Sequence, residues 1–145
     1  MNKKTNILFI CKYNRYRSKI AEFYLKKYSK EKNLNIKVQS AGIIPVNRPL
    51  SKDEAGRNQY LKKRFNIKFN IKSRGINYKL LEKQDKIIIV ANDVPKIIFS
   101  GRKWKNKIEI WKVPDEKAVN KVNINKSVKI IKNKVEKLTE ELERK

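Results

Sequence analysis

The chain has 145 residues, 38 of them Lys or Arg and 14 Asp or Glu, which gives a formal net charge of +24. This length is typical of one domain, expected here over residues 1–145, and the charge attracts phosphate groups, acidic proteins or nucleic acid unless it reflects compositional bias alone. The single Cys and the lack of His exclude an internal disulfide, a Cys–His nucleophile pair and a zinc site built from Cys and His.

Two strands and two helices are predicted in the first half of the chain. The apolar run that ends at Cys11 has the length of a buried parallel strand. It is too short for a membrane span or a signal peptide, so a cytoplasmic location without membrane association is expected. Ser51 followed by Glu54 is typical of a capping box. The predicted elements are strands over 6–11 and 36–41, a helix over 18–32, and a helix from Ser51 to about Phe65.

Two more strands and a long helix are predicted in the second half. Asp93 is interpreted as the cap of a helix that runs through Phe99 and stops at Gly101. Apolar residues spaced by 4, 3, 4, 3 and 4 from Ile124 to Leu142 predict an amphipathic helix. The other predicted elements are a short helix at Leu80–Leu81, after the ambiguous segment 66–79, and strands over 86–91 and 108–113.

Strands that alternate with helices indicate βαβ units, and therefore an α/β fold with a parallel sheet covered on both faces. In such sheets the ligand site lies beyond the carboxyl ends of the strands. The loops to inspect first are those after Cys11, Ala41, Ala91 and Val113.

The first of these loops consists of Cys11, five residues, Arg17 and Ser18. Cys, five residues, Arg and then Ser or Thr is the signature of cysteine-dependent phosphatases. Five residues can curl around one phosphate with their N–H groups pointing inward, and the following helix adds its positive N-terminal end. The residues predicted to bind substrate are Lys12, Tyr13, Asn14, Arg15, Tyr16 and Ser18.

Cys11 and Arg17, at the two ends of this motif, are suited to different roles in phosphoryl transfer. Arg17 offers a planar pair of donors to two phosphate oxygens. The positive surroundings favour the thiolate form of Cys11, which is the nucleophile, and Ser18 can donate a hydrogen bond to it. The predicted function is hydrolysis of phosphomonoesters through a thiophosphate intermediate, with no metal and no cofactor.

With these residues in place, the chain resembles the low-molecular-weight protein tyrosine phosphatases from about residue 5 to residue 143. Members of that family have Asn at the fourth loop position, Ala-Glu on the first helix, Ser-Ala-Gly after the second strand, and a general-acid Asp after the last strand. The matching residues here are Asn14, Ala21-Glu22, Ser40-Ala41-Gly42, Ser73-Arg74, the strand Asp85 to Val90, and Asp115.

The resemblance implies a three-layer sandwich whose four-stranded parallel sheet has the order 2-1-3-4. It also implies that Asp115 protonates the leaving group, while Asn14 and Ser40 brace the loop by hydrogen bonds. The expected substrate is phosphotyrosine in a protein or a small phosphomonoester, and inorganic phosphate or vanadate should bind in the same loop.

Several positions depart from the family pattern and bear on efficiency and substrate choice. The family usually has Gly, Cys and Pro at three positions of the loop and helix start, His two residues before the equivalent of Ser73, Pro after the acid, and an aromatic pair beyond it. The residues found there are Tyr13, Tyr16, Lys19, Ile71, Glu116 and Lys117-Ala118-Val119.

Alternative interpretations remain open at this point. A thiol-dependent arsenate reductase shares the fold but needs further Cys residues for its disulfide cascade. A basic protein that binds phosphates of nucleic acid without catalysis is possible but not favoured, and phosphoarginine phosphatases tend to have Thr where this chain has Arg15. Asp115 also suits a helix N-cap, and Lys12 and Arg15 either line the mouth of the site or are ordinary solvated charges.

Overall fold

Four parallel strands form the centre of the computed structural model, which describes residues 3–144. The strand order is β2-β1-β3-β4, so the predicted α/β class and sheet order are confirmed. The strands are β1 (Thr5–Cys11), β2 (Ile36–Gly42), β3 (Lys86–Val90) and β4 (Ile108–Trp111).

Helices cover both faces of the sheet and make three layers. Helices α1, α2 and α5 contribute side chains to the core on one face, and α3, α4 and a 3-10 turn pack on the other. Among residues 3–144, no helix combines the length and the apolar character needed to cross a membrane. The helices are α1 (Arg17–Glu31), α2 (Lys52–Phe65), α3 (Tyr78–Glu82), α4 (Arg102–Lys105) and α5 (Lys121–Glu143), and the 3-10 turn is Lys96–Phe99.

The central strand β1 explains the layered arrangement. Ile7 and Phe9 pack in the core beneath α1 and α5, whereas Leu8 and Ile10 pack in the core on the opposite face. All four side chains are fully buried. Burial on both faces is why this strand is a continuous apolar run rather than an alternating one.

The segment after β3 differs from the prediction. No helix begins at Asp93; a 3-10 turn begins instead at Lys96, with Pro95 at its start and no side-chain cap. Proline disfavours helical backbone at the residue before it, so a helix capped by Asp93 could not continue through Val94. The Asp93 carboxylate is therefore free to bind Arg17. Gly101 precedes α4 rather than ending a helix.

The other helix starts follow their sequence signals more closely. Ser51 accepts a hydrogen bond from the Glu54 N–H while the Glu54 side chain accepts one from the Ser51 N–H, so the predicted capping box is confirmed. The ambiguous segment contains no regular element until α3, which begins after Asn77. The Asn77 side chain caps that helix by accepting a hydrogen bond from the Leu80 N–H.

Helix α5 offers a matched test of this packing. Val135 is fully buried, whereas Val122 on the same helix is 62% exposed. We expect Val135→Ala to lower the free energy of unfolding by about 2 kcal/mol, because it removes two buried methyl groups and leaves a cavity. Val122→Ala should cause no loss, since Ala has the higher helix propensity. Urea unfolding followed by circular dichroism measures both changes, and equal losses would contradict the docking of α5 on the sheet.

Candidate active site

The loop over residues 12–16 connects β1 to α1 at the carboxyl edge of the sheet. Cys11 is the last residue of β1, and Arg17 is the first of α1. Tyr16 occupies the N-cap position and makes no side-chain capping bond. The first N–H groups of α1 are therefore not capped by a side chain and can receive an anion held in the loop.

Two backbone features let the loop close tightly. Asn14 has a φ of 54°, in the left-handed region that Asn tolerates better than most residues. The end of β2 lies directly against it: a Cβ atom on Gly42 would stand 2.8 Å from both the Asn14 nitrogen and the Tyr13 carbonyl carbon. Only glycine permits this approach without moving the loop. Tyr13 is not among the residues with positive φ, so this loop does not need the family's usual Gly at that position for backbone reasons.

The Cys11 sulfur is surrounded by hydrogen-bond donors. The Asn14 N–H donates to Sγ at 3.3 Å, and the Ser18 hydroxyl lies 3.0 Å from it. The Asn14 side-chain amide donates to the Ser18 Oγ at 2.8 Å and to the Ser40 Oγ at 2.9 Å. When Cys11 is a thiolate, its sulfur has no proton to donate, so the Ser18 hydroxyl is then the donor of this bond.

Further hydrogen bonds, made by Glu22, Ser73 and the Arg74 backbone, hold the loop in place. The Ser40 hydroxyl donates to the Glu22 Oε1 at 2.5 Å. The Arg74 N–H donates to the Asn14 Oδ1 at 2.9 Å, and the Ser73 hydroxyl donates to the Tyr13 carbonyl at 2.8 Å. Ile71, which stands where the family commonly has His, is 46% exposed. Ser73 and the Arg74 backbone thus hold the loop without an imidazole.

Arg17 is almost completely buried but keeps one donor unused. One terminal nitrogen donates to the Val113 carbonyl at 2.8 Å, and the other lies 2.9 Å from the Asp93 carboxylate. Its Nε is buried and has no hydrogen-bond partner among the described residues. The nearest acid to it is Asp115 at 3.8 Å, which is beyond hydrogen-bonding distance. A phosphate oxygen in the loop would supply the missing acceptor.

Three acidic residues line the cavity that contains Cys11, namely Asp53, Glu54 and Asp115. Of these three, only Asp115 forms an ion pair with Arg17, at 3.8 Å. The Asp115 Oδ1 accepts from the Glu116 N–H at 2.9 Å, and no helix begins there, since α5 is capped by Asn120. The Glu116 carboxylate accepts instead from the Asn123 side chain at 2.8 Å. The geometry thus separates Asp115 from Glu116, which is turned toward α5.

This cavity, of about 410 Å³, is lined by residues of the loop, of α2 and of the segment after β4. Tyr13 forms part of its wall, with the ammonium groups of Lys12 and Lys117 5.2 and 5.3 Å from the ring centroid. Lys12 itself is not among the lining residues. Tyr16 is buried in the core, and burial raises its pKa to about 12.

Arg57, a buried residue of α2 that no sequence motif singled out, joins two parts of the site. One terminal nitrogen donates to the Arg15 carbonyl in the loop, and the other donates to the Glu116 carbonyl beside Asp115, each at 2.9 Å. Its guanidinium also lies over the Tyr16 ring at 4.7 Å. The available signal was helical spacing: Arg57 is four residues before the fully buried Leu61 and so shares its inward face.

The sheet order, the helix layers and a thiol held in an anion-binding loop define a phosphatase of the cysteine-dependent class. A family model of the low molecular weight phosphotyrosine protein phosphatases matches residues 6–145. The chain belongs to this family and is a cysteine-dependent phosphatase that acts on phosphorylated substrates.

Solved structures support the fold. The low molecular weight phosphotyrosine phosphatase VcLMWPTP-2 from Vibrio cholerae O395 has a TM-score of 0.81 and 21% identity, covering 96% of this chain and 97% of that chain. A YwlE mutant from Bacillus subtilis has a TM-score of 0.79 and 21% identity over 96% and 99%. A protein tyrosine phosphatase from Entamoeba histolytica has a TM-score of 0.78 and 21% identity over 97% of each chain. The comparison with curated proteins found no match.

Glu54 ties the start of α2 to the loop. Its Oε1 accepts from Arg48 at 2.6 Å and from the Ser51 N–H at 2.9 Å, and its Oε2 lies 3.6 Å from the Arg15 Nε. Burial opposes its charge, but the hydrogen bonds from Arg48 and Ser51 and the charge of Arg15 outweigh burial and lower the pKa of Glu54 to about 2.

We therefore expect Glu54→Gln to destabilise the protein at neutral pH. The folded-state pKa lies below the ordinary value of 4.5, so the stabilisation is present above that value and is lost as pH falls toward 2. Thermal unfolding of wild type and variant between pH 7 and 2 measures the difference, which should shrink through that window. Asp53→Asn, at an exposed neighbour on the same turn, is the control. An equal, pH-dependent loss in Asp53→Asn would assign the effect to net charge instead.

Proposed function

We propose that Cys11 is the nucleophile, Arg17 the phosphate-binding side chain and Asp115 the general acid of a protein tyrosine phosphatase. One observation carries this proposal: Cys11, the buried Arg17 and Asp115 line the same cavity. The Arg17 Nε, without a partner in the described chain, supports a phosphate at the centre of the loop. A catalytic thiol must stay reduced, which favours the cytoplasm as its location.

In the first step the Cys11 thiolate attacks phosphorus. The bond from sulfur to phosphorus forms while the bond from phosphorus to the substrate oxygen breaks, and protonated Asp115 gives its proton to that oxygen. The loop N–H groups and Arg17 bind the three equatorial oxygens, whose negative charge is spread in the transition state. The backbone of residues 12–16 takes part through its N–H groups, which the buried side chains of Asn14 and Tyr16 keep in place.

In the second step water attacks the thiophosphate. The Asp115 carboxylate accepts the proton from water, the bond from phosphorus to sulfur breaks, and inorganic phosphate is released. The Ser18 hydroxyl, 3.0 Å from the sulfur, donates to the departing thiolate. The same network of Asn14 and Ser40 that braces the loop holds Ser18 in the orientation needed for this donation.

Asp93 and Arg57 contribute indirectly, because each positions another part of the site. Asp93 binds a terminal nitrogen of Arg17 at 2.9 Å and keeps the guanidinium aimed into the loop. Arg57 fixes the distance between the loop and the segment that bears Asp115, because it donates to a carbonyl in each. Both are positioning residues: Asp93 does not line the cavity, and Arg57, which does, has both terminal nitrogens engaged with these carbonyls.

Phosphotyrosine is the favoured substrate. Tyr13 offers an aromatic face at the cavity wall, at a site that lacks the usual aromatic pair after the acid, and Lys117 adds positive charge there. YwlE is described as an arginine phosphatase, but here the fifth loop residue is Arg15, whose charge disfavours a guanidinium substrate. Arsenate reduction is not proposed, because a single Cys cannot form the internal disulfide that this chemistry needs.

The nucleophile is tested by Cys11→Ser. We expect this variant to lose hydrolysis of para-nitrophenyl phosphate and of a phosphotyrosine peptide, since a serine hydroxyl without a base is a poor nucleophile. It should still bind vanadate or inorganic phosphate, because Arg17 and the loop N–H groups remain. Turnover is measured by phosphate release without added metal and with a chelator present. Retained turnover above a few per cent would overturn the assignment of Cys11.

The acid is tested by comparing leaving groups. Asp115→Asn should lower phosphotyrosine turnover by roughly 10²–10⁴-fold, as for a lost general acid, and para-nitrophenyl phosphate turnover by less, because para-nitrophenoxide leaves easily without a proton. Asp93→Asn should instead slow both substrates alike and weaken vanadate binding, since it loosens Arg17.

Glu116→Gln serves as the control for these variants. Its carboxylate is bound by Asn123 and does not line the cavity, so near wild-type turnover is expected. Two results would show that the general acid is another residue: strongly reduced turnover in Glu116→Gln, or a loss of turnover in Asp115→Asn that is the same for both leaving groups.

A further inference from the structure

A second cavity, of about 750 Å³, lies between helix α1, the outer edge of β2 and residues 68–74. It shares no lining residue with the cavity that contains Cys11. One wall is formed by α1 with Lys19, Lys26, Lys27 and Lys30, and the facing wall carries Lys68, Lys72 and Arg74. We call the cavity bounded by these seven cationic residues the lysine groove.

The positive charge of the lysine groove is not balanced within it. Glu22 is the one acidic residue among those that line it, and both of its oxygens are already engaged. Oε1 accepts from the Ser40 hydroxyl at 2.5 Å, and Oε2 pairs with Lys26 at 2.8 Å. A concave surface with this excess of one sign concentrates anions more strongly than dispersed surface charge does.

Lys19 shows how crowded the cations are. It is only 7% exposed, and its ammonium group donates to the Lys72 carbonyl at 2.8 Å. Burial lowers the pKa of Lys19; Glu22 opposes this, and the charges of Lys26 and Arg74 lower the pKa further. An anion in the groove would relieve this repulsion.

The floor of the lysine groove is the edge of the sheet. Strand β2 pairs with β1 on one side, and on its other side the described chain forms only an isolated bridge from Gly42 to Gly75. Val38, Gln39 and Ser40, just before that bridge, line the groove. An edge strand offers main-chain N–H and C=O groups to an extended polypeptide, which can pair with it as an added strand.

The aromatic residues of the groove favour a polypeptide over nucleic acid. Phe23 and Phe69 line it, but both rings are partly buried and pack against the core. Proteins that bind single strands present free aromatic faces on which bases stack. These two rings supply apolar contact for aliphatic parts of a peptide rather than such a platform.

We propose that the lysine groove is a docking site for an extended acidic polypeptide segment, which pairs with the edge of β2 between the two cationic walls. The site lies outside the cavity that contains Cys11, although Ser40, Ser73 and Arg74 line the groove and also hold the Cys11 loop, and it binds segments without a phosphate. A partner or substrate protein with an acidic stretch would be held there while its other parts remain free.

The test uses the full-length protein and a fluorescent peptide of eight glutamates, with binding followed by fluorescence anisotropy. Lys27→Glu/Lys68→Glu reverses one exposed charge on each wall of the groove. Lys79→Glu/Lys83→Glu makes the same change in net charge on α3 and the residue after it, on the opposite face of the sheet. We expect the groove variant to weaken binding by about tenfold or more, since two attractions become repulsions, and the control to weaken it much less.

Two further probes make the test specific. The same peptide with alternate amide nitrogens methylated has equal charge but cannot pair as a strand, so it should bind more weakly to wild type. Para-nitrophenyl phosphate turnover should be unchanged in both double variants, which shows that they are folded and separates this result from the catalytic proposal.

The proposal is overturned by any of three results: no binding of the glutamate peptide to wild type, equal losses in the groove and control variants, or no effect of methylation. Binding of a single-stranded oligonucleotide of equal charge that is tighter than the peptide's, and is lost in the groove variant alone, would assign the groove to nucleic acid and also overturn it.

Discussion

The side chain of Asn14 is the point at which four segments of the chain meet. Its amide donates to Ser18 on α1 and to Ser40 on β2, its carbonyl oxygen accepts from the Arg74 backbone, and its own N–H points at the Cys11 sulfur. The residue is completely buried, so each of these groups would cost about 1–3 kcal/mol if left unpaired. The loop conformation is thereby locked to the sheet, and the geometry around the sulfur exists before any substrate arrives.

Two buried arginines are also held in place by hydrogen bonds, and they connect the loop to the walls of the site. Arg17 and Arg57 are 1% and 2% exposed, which is expensive for a charged group unless it is bonded. Arg57 satisfies this condition fully with two carbonyls and the Asn58 side chain. Arg17 is held by Val113 and Asp93 at its terminal nitrogens only. Arg57 therefore has a purely structural role. Arg17 also connects parts of the structure, but its Nε has no acceptor among the described residues.

The loop that holds the proposed nucleophile could be predicted from sequence because its parts are adjacent in the chain. Cys11, Arg17 and Ser18 stand at fixed offsets, and the apolar run before them identifies the strand. The role of Asp93 could not be found in this way, because its partner Arg17 is distant in the sequence and Pro95 alone signalled that no helix starts there. Arg57 and Ser73 likewise act on carbonyls 42 and 60 residues away. The lysine groove was equally hidden, since it depends on the ambiguous segment 66–79 lying beside α1.

The Nε of Arg17 has no hydrogen-bond partner among the described residues, and this affects which substitutions natural selection would favour nearby. A buried donor without an acceptor makes the ligand-free fold less stable than a version in which a nearby side chain had been recruited to bind it. A small shift of Asp115 would be enough to pair this donor, since its carboxylate is only 3.8 Å from the Arg17 Nε. Yet a bond between Asp115 and this nitrogen would occupy the position proposed for a phosphate oxygen and would engage the proposed acid. Selection for stability and selection for turnover therefore favour different states of this one nitrogen. A variant selected only for thermal stability would be expected to pair the Arg17 Nε with a side chain and to lose activity.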